Sequence, residues 1–143
     1  MPDIYHIFYV GSTPEKVFEM ISLSEGLDKW WTRNSLSSPK LQGEYHLDFG
    51  PLYRWKAVVT KYQQDLVFEL RITEADADWT GTKVGFILES IGNRTEVNFY
   101  HSGWQQANKH FKISSFCWAM YLRILKRHIE TGEEVPYEKR LAV

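Results

Sequence analysis

Acyl transfer needs a nucleophile beside a base, and Cys117 with His101 or His6 is the material this chain offers for it. Cysteine is among the most buried residue types, and at a helical position next to Trp118 the Cys117 side chain is expected to face the interior as a small apolar filler. His6 and His101 fall by strand parity on one apolar face. There each could anchor a polar ligand group or move a proton as general acid or base. The plain alternative is a core histidine hydrogen-bonded within the protein. The histidines at 6, 46, 101, 110 and 128 contain no His-Glu-x-x-His motif or other close ligand spacing, so no metal site is expected. Gly43, Gly50, Gly81, Gly85, Gly92 and Gly103 are scattered and form no phosphate loop or dinucleotide fingerprint, so no cofactor is indicated.

The stronger signal is aromatic. Phe, Trp and Tyr make up 15% of the chain, six of them Trp, and such side chains commonly line cores and pockets. A ring of Phe8, Trp55, Phe68, Phe86, Phe99, Trp118 and Tyr121, with His6, His101 and Cys117 among them, is the expected lining of a ligand cavity. Tyr45 and Trp104 are expected at its mouth. Trp104 follows Gly103 in a loop, where an exposed indole calls for a lid or a partner.

Seventeen basic against eighteen acidic side chains leave a net charge of -1 and no global field for nucleic acid or an anionic membrane. The aromatic face lies under a helix and lacks a basic rim, which also argues against base stacking. The single cysteine cannot close an internal disulfide and fits a reducing cytoplasm. No stretch approaches the roughly 20 apolar residues of a membrane helix, and residues 1–10 lack the features of a signal peptide. A cytoplasmic protein with no membrane insertion is the expectation.

The elements that must position these side chains follow from periodicity. Residues 4–10 alternate as a strand. Thr13, Pro14 and Glu15 then form a helix start, with Val17, Phe18 and Ile21 as its buried stripe. Residues 24–31 read as a second short helix, separated from the first by Gly26 and closing on Trp30-Trp31. Residues 34–40 read as a polar connection. Five alternating segments follow, at 43–49, 53–62, 66–72, 82–91 and 94–101, as in an antiparallel meander. An acidic loop at 74–81 carries Trp79. Phe111, Ser115, Trp118, Leu122, Leu125 and Ile129 then recur at steps of four and three, one face of a long helix that Gly132 caps. From about residue 133 the chain is a polar tail.

This order specifies an α+β fold of one domain over residues 1–143: a six-stranded curved antiparallel sheet wrapped around a long C-terminal helix, with two short helices after strand one. In residues and order it resembles the START-like (SRPBCC) superfamily with its helix-grip fold. Within that superfamily it resembles the family named after the activator of the ninety-kilodalton heat-shock chaperone ATPase. The resemblance rests on residues 12–18 after strand one and on Trp30-Trp31. It rests also on Thr95 with His101-Ser102-Gly103, and on Trp118, Leu122, Leu125 and Gly132 in the final helix. It implies an internal pocket between sheet and helix that takes an apolar ligand. The family name implies chaperone stimulation, which is discounted because the chain lacks the separate N-terminal chaperone-binding domain of the longer co-chaperone.

Three functions are therefore expected in order. The first is binding of a small apolar or aromatic molecule, with His6, His101 or Tyr121 orienting it. The second is a cyclase-like or hydrolase-like enzyme using the same pocket. The third is a chaperone or regulatory interaction module docking through the outer sheet face or the surface around Trp79 and Trp104. A homodimer through an edge strand or the same patch stays open, with no heptad or symmetry signal for it.

Overall fold

The computed structural model describes all residues, Met1–Val143. Its elements are β1 (Ile4–Val10), α1 (Pro14–Ser22), α2 (Ser24–Trp30), β2 (Asn34–Ser37), β3 (Glu44–Asp48), β4 (Arg54–Gln63), β5 (Val67–Glu74), β6 (Lys83–Ile91), β7 (Arg94–Ser102) and α3 (Lys109–Thr131). A 3-10 turn at Tyr137–Ala142 follows. The strands make one antiparallel sheet in the order β1-β7-β6-β5-β4-β3-β2. It is a helix-grip architecture, with seven strands and not six.

The added strand is β2, inside the stretch that reads as a polar connection. Its one large apolar residue, Leu36, points to solvent, while the buried Ser35 hydroxyl donates to the Asp28 carboxylate at 2.9 Å. Pairing with β3 holds it there, Ser35 opposite Leu47, and no apolar alternation announces it.

Alternation elsewhere works as expected. Tyr45 and Leu47, Ala57 and Val59, Phe68, Leu70 and Ile72, Val84, Phe86 and Leu88, and Val97 and Phe99 are buried on the inner face of the sheet. Register shifts within β4 disturb the ladder beside Lys56 and Thr60, and such bulges bend a strand. The helices cover the concave face. Thr13 caps α1 by accepting the Lys16 N–H, and Asn108 caps α3 by accepting the Phe111 N–H at 2.9 Å. Gly132 ends α3 in the left-handed conformation at φ 77°.

One sequence expectation changes in detail, and the tail gains a definite place. The break between the short helices is at Leu23, and Gly26 lies within α2, where a Cβ would sit 2.6 Å from the Met20 Cα; close helix packing, not helix termination, requires that glycine. The polar tail is packed locally. Arg140 is buried and donates to the carbonyls of Asp28 (2.7 Å), Thr32 (3.1 Å) and Val135 (3.1 Å), so it satisfies the C-terminal end of α2.

Candidate ligand site under the 75–82 loop

Four indoles from four elements meet in a continuous array. Trp31, just past α2, lies 5.2 Å from Trp118 of α3; Trp118 lies 5.8 Å from Trp79 of the 75–82 loop; Trp79 lies 5.0 Å from Trp55 of β4, all between ring centroids. These distances suit offset and tilted aromatic packing. Against this array opens a pocket of about 180 Å³. Its other wall is α3, through His110, Ile113, Ser114, Cys117 and Tyr121, which with Trp118 follow the three-and-four spacing of one helix face.

Behind the indoles runs a closed chain of hydrogen bonds. The Trp118 indole N–H donates to His101 Nδ1 at 3.0 Å, so the His101 proton sits on Nε2, which meets Thr82 Oγ1 at 2.8 Å. The Thr82 hydroxyl donates to the Trp79 carbonyl at 2.5 Å, and the Trp79 indole N–H returns to α3 by donating to Ser114 Oγ at 3.3 Å. Both His101 nitrogens are thus used inside the fold, and burial, aided by the nearby His110, lowers its pKa to about 3. This histidine is neutral and structural at neutral pH.

The loop that carries Trp79 is clasped to the start of α3. His110 Nδ1 stands 2.9 Å from the Asp78 carboxylate, and the Asn108 side-chain amide reaches the same oxygen at 3.5 Å. At the pocket wall, burial pushes the Cys117 thiol pKa up and raises the Tyr121 hydroxyl to about 12, so both stay protonated at neutral pH.

The structure distributes the sequence-derived candidates over four places. Trp55, Cys117, Trp118 and Tyr121 line the pocket. Phe99, His101 and Trp104 pack directly behind it, with Phe99 at 4.6 Å from Trp118 and His101 at 4.5 Å from Trp79. His6 and Phe8 line a separate groove of about 180 Å³ between β1 and α3, where His6 donates to the Ser115 carbonyl at 3.3 Å. Tyr45, Phe68 and Phe86 lie in the closed core; the Tyr45 hydroxyl donates to the Ser22 carbonyl at 2.5 Å, and burial raises its pKa.

His6 and His101 are not brought together: the β1–β7 register sets His6 opposite Phe99 and His101 opposite Ile4. Neither bonds Cys117, whose side chain is half-buried at the pocket wall and not sealed inside. Trp79 and Trp104, expected on the surface, are 8% and 1% exposed, so they form no docking patch. Their loops fold back onto α3 and β7, a tertiary event that local polarity does not report. Trp31, Trp79, His110, Ile113 and Ser114 are pocket residues that sequence reasoning did not select. The available signal was the cost of an exposed indole in a polar loop, which holds for Trp79 as it does for Trp104.

The family model described as activator of Hsp90 ATPase homolog 1-like protein matches residues 12–130. The chain belongs to this family. Among solved members of the wider fold, the Aha1 dimer from Colwellia psychrerythraea shares 27% identity at a TM-score of 0.83, covering 93% of this chain and 99% of its own. A Bacillus halodurans protein shares 24% at 0.76, covering 91% and 98%, and a Staphylococcus saprophyticus protein shares 17% at 0.79, covering 94% and 96%. The two latter likenesses concern the fold alone. Among curated proteins none matches the chain. Within this Aha1-like family member, no helix is long and apolar enough to cross a membrane.

Proposed function

We propose that the protein binds a small apolar or aromatic molecule in the pocket between the 75–82 loop and α3, as a carrier or sensor in a reducing cytoplasm. The observation that carries this is the wall of Trp31, Trp55, Trp79 and Trp118 turned toward a pocket rimmed by Ser114, Cys117 and Tyr121. An apolar wall with a few polar groups at the edge is the usual composition of small-molecule sites. At about 180 Å³ the pocket is on the scale of a cavity that accepts benzene, roughly 150 Å³, which suits a single ring or short chain. His101 spends both ring nitrogens on the fold, which favours a binding role over one that moves protons. Native mass spectrometry of freshly purified protein should show a small extra mass that denaturation removes. A clean apo mass, joined by no thermal shift with single-ring aromatics or short-chain lipids at millimolar concentration, defeats this reading.

A second reading concerns self-association. The edge strand β1 exposes Tyr5, Ile7 and Tyr9 on alternate positions, with Ile87 exposed on β6, and Tyr5, Ile7 and Ile87 rim one depression of about 550 Å³ on the outer sheet face. Open edges with apolar side chains favour pairing with another chain, and the Colwellia relative was solved as a dimer. Light scattering should give twice the chain mass, reduced to a single chain by Ile7→Lys. A monomer at high protein concentration removes this reading.

A further inference from the structure

Of the buried side-chain nitrogen and oxygen atoms, only Trp104 Nε1 has no hydrogen-bond partner. The contrast with its neighbours is informative. Trp30 donates to the Met20 carbonyl, Trp79 to Ser114 and Trp118 to His101, so three of the other four buried indoles are given an acceptor by the fold. An unmade buried donor is unfavourable and uncommon, and it marks a place where something else supplies the acceptor.

Trp104 stands one ring behind the pocket. Its centroid is 6.2 Å from Trp79 and 5.6 Å from His110, both edge-on, and both of those residues line the pocket. Trp104 thus meets the pocket through two residues that the clasp holds in place. That clasp joins one short link, His110–Asp78 at 2.9 Å, to two long ones, Trp79–Ser114 at 3.3 Å and Asn108–Asp78 at 3.5 Å, and Ser114 and His110 line the pocket. A ring that takes the place of the Trp79 indole beside Trp118 and Trp55 moves Trp79 off Trp104 and uncovers it.

We infer that the preferred occupant is an apolar ring bearing one hydrogen-bond acceptor, an aryl ketone, ester or amide, whose carbonyl oxygen accepts the Trp104 indole N–H. This rests on the pocket reading above and adds the ligand class and the anchoring residue. The ring replaces Trp79 against Trp118 and Trp55, and the oxygen satisfies the one donor that the fold leaves open. A plain hydrocarbon of the same shape fills the same space and leaves that donor unmade.

The test compares acetophenone with ethylbenzene, near-isosteres that differ in the carbonyl, by nitrogen-15 correlation spectra of the indole region. Six tryptophans give six indole signals. The Trp104 signal is identified in the wild type by its proximity to Phe111, whose ring centroid is 5.3 Å away, and independently by its loss in Trp104→Phe. Both probes should shift pocket indoles, only acetophenone should move the Trp104 signal downfield, and acetophenone should bind about five- to tenfold more tightly. Trp104→Phe should erase that preference while keeping ethylbenzene binding. Equal affinity with an unmoved Trp104 signal overturns the inference and leaves the pocket reading intact, the donor then being met by a buried water. No shift of any pocket indole with either probe overturns both. The wild-type comparison decides the matter even if Trp104→Phe fails to fold.

Discussion

Tyr100 lies across Gly85: the two residues are paired in the β6–β7 ladder, and a Cβ built on Gly85 would stand 2.1 Å from the Tyr100 ring. Gly85 is in turn paired with Glu69 on β5, so the ring crosses one strand to place its hydroxyl on the Glu69 carboxylate. Glu69 is 2% exposed although it sits on the outer face, and Thr60 donates to its other oxygen at 2.6 Å. Burial and its own hydrogen bond to Glu69 raise the Tyr100 pKa. The missing side chain at Gly85 is thus what allows a carboxylate to be covered and still satisfied.

Gly85→Ala should displace the Tyr100 ring and cost about 2–3 kcal/mol of stability. In a Tyr100→Ala background the same change should cost under about 1 kcal/mol, because the clash is gone. Urea denaturation of the four proteins measures the cycle; additive costs would refute the coupling.

The His101 pKa of about 3 sets a pH dependence. The unfolded histidine binds its proton near pH 6.5 and the folded one does not, so between 6.5 and about 3 the unfolded state holds more protons and stability falls as pH falls. The slope from this site is about 1.4 kcal/mol per pH unit, or about 2 kcal/mol between pH 6.5 and 5. The His101 ring signals should stay unchanged down to pH 4.5 in the folded protein. Titration of that ring near 6.5 would exclude the neutral, locked histidine.

Arg140→Ala should destabilise the domain by about 2–3 kcal/mol, since it leaves the carbonyls of Asp28, Thr32 and Val135 without a donor. Hydrogen exchange at the end of α2 should accelerate in the same variant, whereas Lys139→Ala, on an exposed side chain, should change neither. Equal behaviour of the two variants in denaturation would show that the tail does not brace α2.

Cys117→Phe places a ring in the pocket from its half-buried wall. Toluene binding, followed by calorimetry, should weaken by more than about tenfold, a loss of about 1.4 kcal/mol, with the near-ultraviolet spectrum of the tryptophans retained. Undiminished binding would place the ligand elsewhere.

The long helix and six of the seven strands are legible in the sequence because each has alternating or periodic apolar residues, from Ile4 on β1 to Leu125 on α3. β2 is not, since Asn34–Ser37 joins the sheet through backbone pairing and a buried serine. The pocket was half legible. Trp55, Trp118 and Tyr121 sit in periodic elements and declare their face, while Trp79 and His110 acquire theirs only when the 75–82 loop docks on α3 through Asp78 and Ser114. Hydrogen bonds between distant loops and helix starts leave no periodic trace, and so Trp104 also reads as exposed where it is 1% so.

The sheet order has a consequence in time. β1 pairs with β7, Ile4 opposite His101, so a strand made early must wait for one made some ninety residues later, roughly the separation of their numbers. Until β7 is made, the inward Ile4 and Val10 and the outward Tyr5 and Ile7 lie together in an unpaired segment of the nascent chain. Folding of this domain is therefore governed by a late, long-range closure, and the interval before it is when the chain is most exposed to wrong partners.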